Sequence, residues 1–521
     1  MKRWLLTIMI MIMAGFTGCS QGKNVEYANK DEEAKVDRTK ITVAFWNAET
    51  ALAGDDVLDA IEEQFGVELE PLDMTWNDYY QKVERWAATD SLPDIFIGDF
   101  RNSVLYPQWI QNGLLCAIPD DLSAYPNLAE YIDGLEETQI VPVNGKLYCI
   151  PRLTYPSQEW TSIDRVVAYR WDLAQDAGIT KEPENWDEFQ EMILAIIRED
   201  PERTGIQGMT VGNSGLLTGL LLPYASPIAA CTGNDFYWKK DIDSIYKPVY
   251  FVDDMICAFQ LGRDMYMSGV IEKDVIQQTA SSARDKFLRG ENAAILYSGG
   301  AGGVYENMGK YWEQFHNNNL AESVKLLHLM PDVNGIITYP VWGYAWCESY
   351  ISAKVDAEKL DKILQIYDYL LSDEGAFFAA YGPEGALYEL VDGRAELYDM
   401  DVDVIGRYPS CEVLSILVHW DSSLYDERFP STVPVDCLEM NYELLQEAKS
   451  VQIPEYEPEC RRIMKEEQID FSLDLNRDFL RIMTGTGPVE EMWEEIKGEY
   501  EEKGLQDMID IVNDKMQTQF K

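Results

Sequence analysis

Short apolar segments alternate with amphipathic segments between residues 41 and 113. The amphipathic segments place apolar residues three or four positions apart, as in Val57, Ile61 and Phe65, which predicts helices. Strands that alternate with helices are typical of a parallel sheet covered on both faces, so we predict an α/β fold. The predicted strands, some of them further along the chain, are ITVAFWN (41–47), VELEPL (67–72), DIFIG (94–98), LYCIP (147–151), VVAYR (166–170), AAILY (293–297) and VKLLHLM (324–330).

Two later helices have strong sequence signals. Asn185 precedes an apolar stripe and has Glu188 three positions later, the arrangement of a helix N-cap. Residues 356–372 carry an apolar face at helical spacing. About 480 residues follow position 40, which is too many for a single core and predicts two or three domains.

The N-terminus has the pattern of a bacterial lipoprotein signal. Lys2 and Arg3 precede an apolar run that is short for a membrane span, and small residues lead to Cys19. We therefore predict a signal peptide at 1–18 and a lipid anchor on Cys19, with ordinary secretion and cleavage nearby as the alternative. The polar residues of 19–40 predict a tether.

The charge of the chain excludes one class of partner. The formal net charge is −48, and because residues 1–18 contain two cations and no acid, the remainder carries −50. Phosphate backbones require the opposite sign, so nucleic acid is excluded as a natural partner. No second hydrophobic stretch reaches membrane length.

Eight cysteines follow Cys19, without any C-x-x-C spacing. Several lie inside apolar runs, which favours buried free thiols, although export leaves disulfides as the alternative. The eight are Cys116, Cys149, Cys231, Cys257, Cys347, Cys411, Cys437 and Cys460.

The sequence lacks the motifs of common catalytic and cofactor sites. It has three histidines without metal spacing, no G-x-S-x-G turn and no phosphate-binding loop, so we predict no metal, no cofactor and no enzyme. The glycine-rich segment YSGGAGG (297–303) is interpreted either as a flexible loop or as backbone that approaches a ligand closely.

Several segments, in order along the chain, resemble extracellular solute-binding protein family 1, the sugar and oligosaccharide receptors of ABC importers. These segments are SLPDIFIGDF (91–100), NGKLYCIPR (144–152), VVAYRWDLAQDAGI (166–179), PENWDEFQEMILAI (183–196), FLRGENAAIL (287–296) and YISAKVDAEKLDKILQIYDYLLSDEG (350–375). YGPEGALYELVDG (381–393) and the closing segment 485–512 resemble the long, lipid-anchored subgroup of Gram-positive bacteria. Members of that subgroup often carry a calcium loop near the stretch REDPERTGIQG (198–208), whose acidic spacing is missing here, so no calcium is expected.

The resemblance implies a two-lobed, periplasmic-binding-protein-like fold with hinge strands and a ligand cleft between the lobes. Lobe one is expected at 41–158 plus 336–376, and lobe two at 159–335 plus 377–521. The chain would cross near 156–166, near 336–341 and near 376. The implied function is the capture of a neutral oligosaccharide for an ABC permease, by a monomer on the outer face of the cell membrane.

Residues that follow the predicted strands are candidate ligand contacts, because ligands bind at the carboxyl ends of strands in open α/β sheets. Trp46, Asn47, Asp99 and Phe100 follow two strands of the first lobe. An aromatic face stacks on a sugar ring, and a carboxylate or amide bonds its hydroxyls. The alternatives are core filling for Trp46 and a helix N-cap for Asp99.

The crossing segments and the second lobe supply further candidates. Tyr155 and Trp160 lie in the first crossing, and Ser298 and Gly299 follow a strand of the second lobe. Arg152, in the motif CIPR, is interpreted either as a partner in a structural ion pair or as a ligand contact.

VWGYAWC (341–347) places three large aromatic residues at alternate positions. In an extended chain, these side chains share one face. We predict that Trp342 and Tyr344 line the cleft and that Trp346 lies nearer the core, since aromatic stripes usually pack.

Two other functions stay open. The same fold accommodates many ligands, so the alternative is a peptide, an amino acid derivative or another solute, and a free α-amino acid would need a paired Arg and Asp. Less favoured is a surface glycosidase, because the chain holds 91 acids but no local signature selects a catalytic pair.

Overall fold

Two four-stranded sheets organise the part of the chain that the structure, a computed structural model, describes. That part is residues 38–519 apart from 76–77, 102, 104, 136–141, 202–204, 213–214, 227–230, 233–234, 242–243, 342, 419–424 and 453–455. The strands are β1 (Thr39–Trp46), β2 (Val67–Met74), β3 (Ile95–Gly98), β4 (Arg165–Arg170), β5 (Gln207–Val211), β6 (Cys231–Thr232), β7 (Asp235–Phe236), β8 (Trp238–Lys240), β9 (Tyr246–Pro248), β10 (Asn292–Ser298), β11 (Val324–Leu326), β12 (Glu348–Ile351), β13 (Tyr388–Val391) and β14 (Arg394–Leu397).

Helices cover the sheets and form most of the C-terminal third. They are α1 (Ala48–Ala51), α2 (Asp56–Phe65), α3 (Tyr79–Ala88), α4 (Leu105–Gln111), α5 (Pro126–Asp133), α6 (Trp171–Asp176), α7 (Trp186–Glu199), α8 (Gly215–Leu221), α9 (Met255–Ser268), α10 (Ala280–Leu288), α11 (Gly300–Val304), α12 (Lys310–Trp312), α13 (Leu320–Ser323), α14 (Ala357–Leu370), α15 (Asp373–Tyr381), α16 (Val404–Arg407), α17 (Cys411–Leu414), α18 (Val435–Ser450), α19 (Pro458–Glu466), α20 (Leu475–Thr484), α21 (Val489–Glu502) and α22 (Leu505–Gln519).

The first sheet has the strand order β12-β3-β1-β2, and β1 runs parallel to both β2 and β3. In β1, Ile41 and all of 43–46 are buried, which suits a strand packed on both faces. β12 is antiparallel to β3 and closes one side. The strands predicted at 41–47, 67–72 and 94–98 are confirmed.

The second sheet has the order β11-β4-β10-β5 and is mixed rather than parallel, since β4 runs antiparallel to both of its neighbours while β10 and β5 pair in parallel. Separate hydrophobic clusters cover its two faces. The predicted strand at 147–151 is wrong, because Ile150 makes only an isolated bridge to Ser349. The one predicted at 324–330 ends at Leu326.

Both strongly signalled helices form where the sequence indicates. Asn185 caps α7, and its side-chain oxygen accepts a hydrogen bond from the backbone N–H of Glu188 at 3.0 Å. Asp356 caps α14 in the same way through the N–H of Lys359, at 2.8 Å. Each cap satisfies a backbone donor that has no partner within the helix.

The packing of 379–418 differs from the expected lobe limits. Ala379, Leu387, Cys411 and Val418 belong to the core of the first sheet, so the boundary expected after 376 does not follow the packing. The second sheet's cores instead take residues from 433 onward.

The points where the chain passes between the cores also differ from the expectation. Ile150 belongs to the core of the first sheet, which we call the first core, and Tyr155 belongs to a core of the second sheet. The first crossing therefore lies between these two residues, before the expected 156–166. The return lies between Tyr344 and Cys347 rather than at 336–341. Helix and strand patterns are local, whereas these limits depend on which core each element packs against.

Residues 343–347 of VWGYAWC form an irregular crossing segment, not a strand. It pairs with the other crossing segment through an isolated bridge between Leu153 and Ala345. Thr154 N donates to Tyr344 O at 2.7 Å, and Trp346 N donates to Arg152 O at 2.9 Å. Cys347 then takes the left-handed conformation, with φ 57°, before β12 begins.

The glycines of YSGGAGG serve the contact between α11 and α18. Asn441 of α18 accepts a hydrogen bond from the backbone N–H of Ala301 at 2.6 Å. A Cβ on Gly300 would lie 2.3 Å from the same Asn441 oxygen and 3.0 Å from the Ile163 Cβ. Helix packing therefore accounts for Gly300, and the segment is not a loose loop.

The cysteines with described side chains are free thiols, as the sequence favoured: Cys116, Cys149, Cys257, Cys347, Cys411, Cys437 and Cys460. Burial raises the pKa of the Cys149, Cys411 and Cys437 thiols to about 12, so they are protonated at neutral pH. Across the described residues, no helix combines the length and apolar content needed to cross a bilayer.

Replacing Gly300 by Ala should lower the free energy of unfolding by about 2–4 kcal/mol. Gly300 has φ +61°, which L-residues adopt at a cost, and the new methyl group would also push against Asn441. Calorimetric unfolding would measure the change, and Gly300→Ala with wild-type stability would contradict the assigned packing role.

Gly498→Ala is the matched control. Gly498 lies exposed within α21, and a Cβ there would meet no atom within 4 Å. This substitution should raise the free energy of unfolding by about 0.5–1 kcal/mol, because alanine loses less backbone entropy in a helix.

Candidate functional site

One edge of the first sheet collects the residues that follow its parallel strands. β1 ends at Trp46 and β3 at Gly98, and the antiparallel β12 begins opposite Gly98 with Glu348. The carboxyl ends of parallel strands share one edge of a sheet. We call the residues 46–47, 99–101 and 346–348 the first edge.

Trp46 and Trp346 form a stacked pair at the first edge. Their ring centroids are 6.4 Å apart and the ring planes differ by 22°. Trp46 is 3% exposed, whereas Trp346 is 38% exposed. The pair therefore presents Trp346 to solvent, with Trp46 packed behind it.

This arrangement reverses two predictions for VWGYAWC. Trp346, expected nearer the core, is exposed, and Tyr344, expected in the cleft, is only 3% exposed and packs with Tyr155 and Trp160. The segment is irregular and Cys347 is left-handed, so the side chains do not alternate as in a strand. Trp342 lies outside the described residues.

Polar groups surround the tryptophan pair. Asn47 is exposed, and its side-chain amide donates to Glu412 Oε1 at 3.2 Å. Asp99 is half-buried, and its backbone carbonyl accepts a hydrogen bond from the Tyr80 hydroxyl. Burial, together with the nearby Asp99 carboxylate, raises the pKa of Tyr80 far above its usual value. An amide and carboxylates thus lie near an exposed indole.

Phe100 is a core residue, not a contact for a ligand in this conformation. It is completely buried, with ring centroids 4.8 Å from Tyr80 and 4.9 Å from Trp109. Phe100 comes shortly after the end of β3, where the sequence pattern does not indicate whether an aromatic side chain points into the core or towards solvent.

Arg152 lies beneath the first edge and is also completely buried. Its guanidinium carbon is 5.3 Å from the centroid of the Trp46 ring, and Nη1 donates to Ile416 O at 2.8 Å. Burial lowers the pKa of Arg152 to about 10, which leaves the group protonated at neutral pH. Arg152 therefore acts inside the protein and does not reach a ligand here.

The second sheet has a corresponding edge, where β10 ends and the antiparallel β4 begins, and we call the residues 164–165 and 298–299 the second edge. Ser298 pairs in register with Arg165, and Ser298 is exposed. Tyr155 is buried, and its hydroxyl donates to Asp164 Oδ1 at 3.0 Å, while Asp164 also forms an ion pair with Arg165. Gly299, with φ 84°, precedes the first residue of α11.

Trp160 lies near the same edge within a second aromatic cluster. It is 8% exposed, and its ring centroid is 6.0 Å from that of Tyr425 and 6.1 Å from that of Tyr442. Tyr442 is the exposed member. Two aromatic clusters, one at each sheet edge, are thus joined by the crossing segments.

A cavity of about 620 Å³, its open mouth included, lies beside the second edge. Polar groups and apolar walls both line it, with Ser162, Arg165, His328, Trp186 and Pro340 among them. His328 Nε2 lies 3.4 Å from Glu182, and Nδ1 bonds Glu447. The hydrogen bond with Glu447 raises the pKa of His328.

Within the described range, no cluster of three or more His, Cys, Asp or Glu side chains could hold a metal ion. Three positions of the stretch 198–208, where no calcium was expected, fall outside the described residues. His316 is partly exposed to solvent, and its ring stacks on that of Trp312 with centroids 4.1 Å apart. His419 is outside the described range.

The sequence analysis missed Tyr79 and Glu412. The Tyr79 ring meets Trp46 at 5.9 Å in an edge-to-face contact, but its position on α3 fitted an ordinary apolar stripe. Glu412 reaches Asn47 from 365 residues away, and no local pattern indicates such a contact.

Comparison with known proteins places the chain in a family. The sequence profile described as bacterial extracellular solute-binding protein matches residues 56–382, more than half of the chain. No curated protein matches the sequence.

Solved structures share the fold at low identity. The alginate-binding protein AlgQ2, solved without calcium ion, matches with a TM-score of 0.68 and 14% identity, over 91% of this chain and 97% of its own. An HMO-binding, ABC-transporter-associated solute-binding protein from Bifidobacterium longum infantis matches with a TM-score of 0.68 and 15% identity, over 92% and 98%. FusA of S. pneumoniae, in complex with kestose, matches with a TM-score of 0.66 and 16% identity, over 92% and 100%.

These likenesses show a two-lobed, periplasmic-binding-protein-like α/β fold, in agreement with the two sheets and the paired crossing segments. With the profile match over residues 56–382, they lead to one conclusion: the chain belongs to the bacterial extracellular solute-binding protein family.

Proposed function

We propose that this protein captures a neutral carbohydrate at the first edge and delivers it to an ABC permease. The observation that carries the proposal is the exposed ring of Trp346, stacked on Trp46 with Asn47, Asp99 and Glu412 nearby. An indole face suits the apolar face of a sugar ring. Amide and carboxylate groups suit its hydroxyls, because they accept or donate hydrogen bonds.

The related structures support the same class of ligand. One of them is an alginate-binding protein, another binds HMO, and FusA was solved in complex with kestose. We extend only the class, carbohydrate, to this chain, and the net charge of −48 favours a neutral ligand over an anionic one.

We assign the second edge to the other side of the bound sugar. Ser298 is exposed there, Gly299 follows it, and the hydroxyl of Tyr155 and the ring of Trp160 lie in the adjoining crossing segment. Trp46 packs behind the ring of Trp346, and together they form the Trp46–Trp346 platform. A ligand contact by Trp342 remains a prediction. Closure of the lobes would bring both edges onto the sugar, as ligands select the closed state by their differential affinity.

The packing supports lobe limits that differ from those expected from the sequence. We propose lobe one as 39–151 plus 346–418 and 426–429, since these residues form the first core and the small cluster of Phe377, Tyr388, Ala395 and Phe429, and lobe two as 155–344 plus 433–519. We also propose a monomer, held at the outer face of the membrane through a lipid on Cys19.

One observation favours a different solute. Asp164 and Arg165 form a paired acid and base at the second edge, which is the requirement for the amino and carboxyl groups of an amino acid or peptide. The two groups already bond each other, and Asp164 also accepts the Tyr155 hydroxyl, so an amino acid would have to break existing contacts. Carbohydrate is therefore the first proposal.

Trp346→Ala should weaken oligosaccharide binding at least tenfold, about 1.4 kcal/mol, because it removes the stacking surface. The unfolding midpoint should stay within a few degrees of wild type, since Trp346 is 38% exposed. Calorimetric titration with maltotriose, cellotriose, xylotriose and kestose, beside a dipeptide and free amino acids, would measure affinity and ligand class together.

Phe315→Ala is the matched control, since Phe315 is 52% exposed. Phe315 comes before β11 in the chain. β11 begins opposite Arg170, at the end of the second sheet that lies away from Arg165 and Ser298. Equal affinities for wild type and Trp346→Ala would refute the platform. Binding only of amino acids or peptides would favour the alternative solute, and sugar recovered in shortened form would favour a glycosidase.

Replacing Cys19 by Ala should release the protein from the membrane or block its processing. Lipid on a cysteine at the mature N-terminus is the proposed anchor, and Cys19 is the residue that ends the signal pattern. Detergent partitioning of both proteins would measure the difference. Wild-type protein found free in the growth medium would contradict the anchor.

A further inference from the structure

Three segments of the chain converge on the buried side chain of Arg152. Nη1 donates to Ile416 O at 2.8 Å, and Nε donates to Trp346 O at 3.3 Å. The Arg152 carbonyl accepts from Trp346 N at 2.9 Å. The guanidinium therefore ties the first crossing segment both to the return crossing and to the end of the first core before residue 419.

Neighbouring hydrogen bonds strengthen the same junction. The Tyr131 hydroxyl donates to Pro151 O at 2.7 Å, and Ser349 Oγ donates to Leu417 O at 3.1 Å. These bonds hold the segments on either side of Arg152, so its donors meet carbonyls in fixed positions.

The same guanidinium also contacts the aromatic residues at the end of β1. Its central carbon lies 5.3 Å from the Trp46 ring centroid and 5.8 Å from that of Phe45. Trp46 in turn stacks on Trp346, whose backbone oxygen accepts from Arg152. One side chain thus fixes both partners of the tryptophan pair, one through its ring and the other through its backbone.

Only an arginine can make all of these contacts together. Its planar fork directs several N–H groups in different directions and stacks flat on an aromatic ring. Lysine keeps the charge on a single point and cannot reach two separated carbonyls from the same position. Arg152 is completely buried, so it acts on a ligand only through the residues that it contacts, among them both members of the tryptophan pair.

We propose that Arg152 is a positioning residue that couples the crossing segments to the Trp46–Trp346 platform. A movement of the crossing segments during lobe closure would move the carbonyls of Trp346 and Ile416, and through Arg152 the ring of Trp46. Stacking of a sugar on Trp346 and the closed arrangement would then favour each other. The part that concerns sugar affinity rests on the proposed function, whereas the coupling of Arg152 to the two rings does not.

The experiment compares Arg152→Met and Arg152→Lys in protein labelled with 5-fluorotryptophan. Trp46→Phe and Trp346→Phe variants assign the two ¹⁹F resonances. Without any sugar, Arg152→Met should shift both resonances, and Arg152→Lys should shift them less. For the oligosaccharide that binds wild type in the titration panel, affinity should fall at least tenfold in Arg152→Met and by a smaller factor in Arg152→Lys.

Arg170→Met is the matched control. Arg170 is 1% exposed, lies 5.5 Å from the ring centroid of the buried Trp312, and bonds Asp172 at 2.8 Å. It should lower the unfolding midpoint while the resonances of Trp46 and Trp346 and the sugar affinity stay at wild-type values. Shifts of those two resonances in Arg170→Met would indicate general destabilisation and overturn the proposal.

Unchanged resonances in folded Arg152→Met would overturn the coupling. Shifted resonances with wild-type affinity would overturn its link to binding. If Arg152→Met does not fold, the same measurements on Arg152→Lys test the proposal. Wild-type resonances and wild-type affinity in Arg152→Lys would then refute it. If no sugar in the panel binds wild type, the proposed function fails, and the resonances measured without sugar still decide whether Arg152 positions the two rings.

Discussion

The backbone pairing between the two crossing segments is the interaction on which the rest of the structure depends. Thr154 donates to Tyr344 and Trp346 donates to Arg152, so two stretches that are distant in sequence run side by side between the sheets. Buried backbone groups need partners, and these bonds provide them without a continuous sheet. The pairing places Trp346 beside the end of β1, where it can stack on Trp46. The tryptophan pair at the first edge therefore depends on this pairing.

The first edge exposes an aromatic ring and polar groups but no cation among its described side chains. The strong overall negative charge is spread over the chain, while the buried cations near the site are engaged inside the protein. Arg152 bonds backbone carbonyls, and Arg101 lies 3.1 Å from Glu348. The groups that remain accessible at the first edge are an indole, an amide and carboxylates. Such a surface suits a ligand with hydroxyl groups and no negative charge.

Local patterns predicted the elements that depend on local causes. The N-cap at Asn185, the helix α14 and the strands β1, β2 and β3 of the first sheet follow from side chains a few positions apart. The strand ends also predicted that residues near Trp46 and Asp99 would meet at one edge. The direction of each side chain at that edge was not predictable, and Phe100 turned inward to pack on Tyr80 and Trp109.

The sequence by itself determined the α/β class, the resemblance to a two-lobed family, the cap at Asn185 and the positions of β1, β2, β3, β4 and β10, because residue spacing and short motifs are local properties. The tertiary structure decided which aromatic residue of VWGYAWC faces solvent. That outcome depends on the left-handed Cys347 and on pairing with 152–154. It also decided that Ala379, Leu387, Cys411 and Val418 join the first core and that Glu412 reaches Asn47. Contacts between residues hundreds of positions apart arise from packing and chain reversal, and no periodicity in the sequence encodes them.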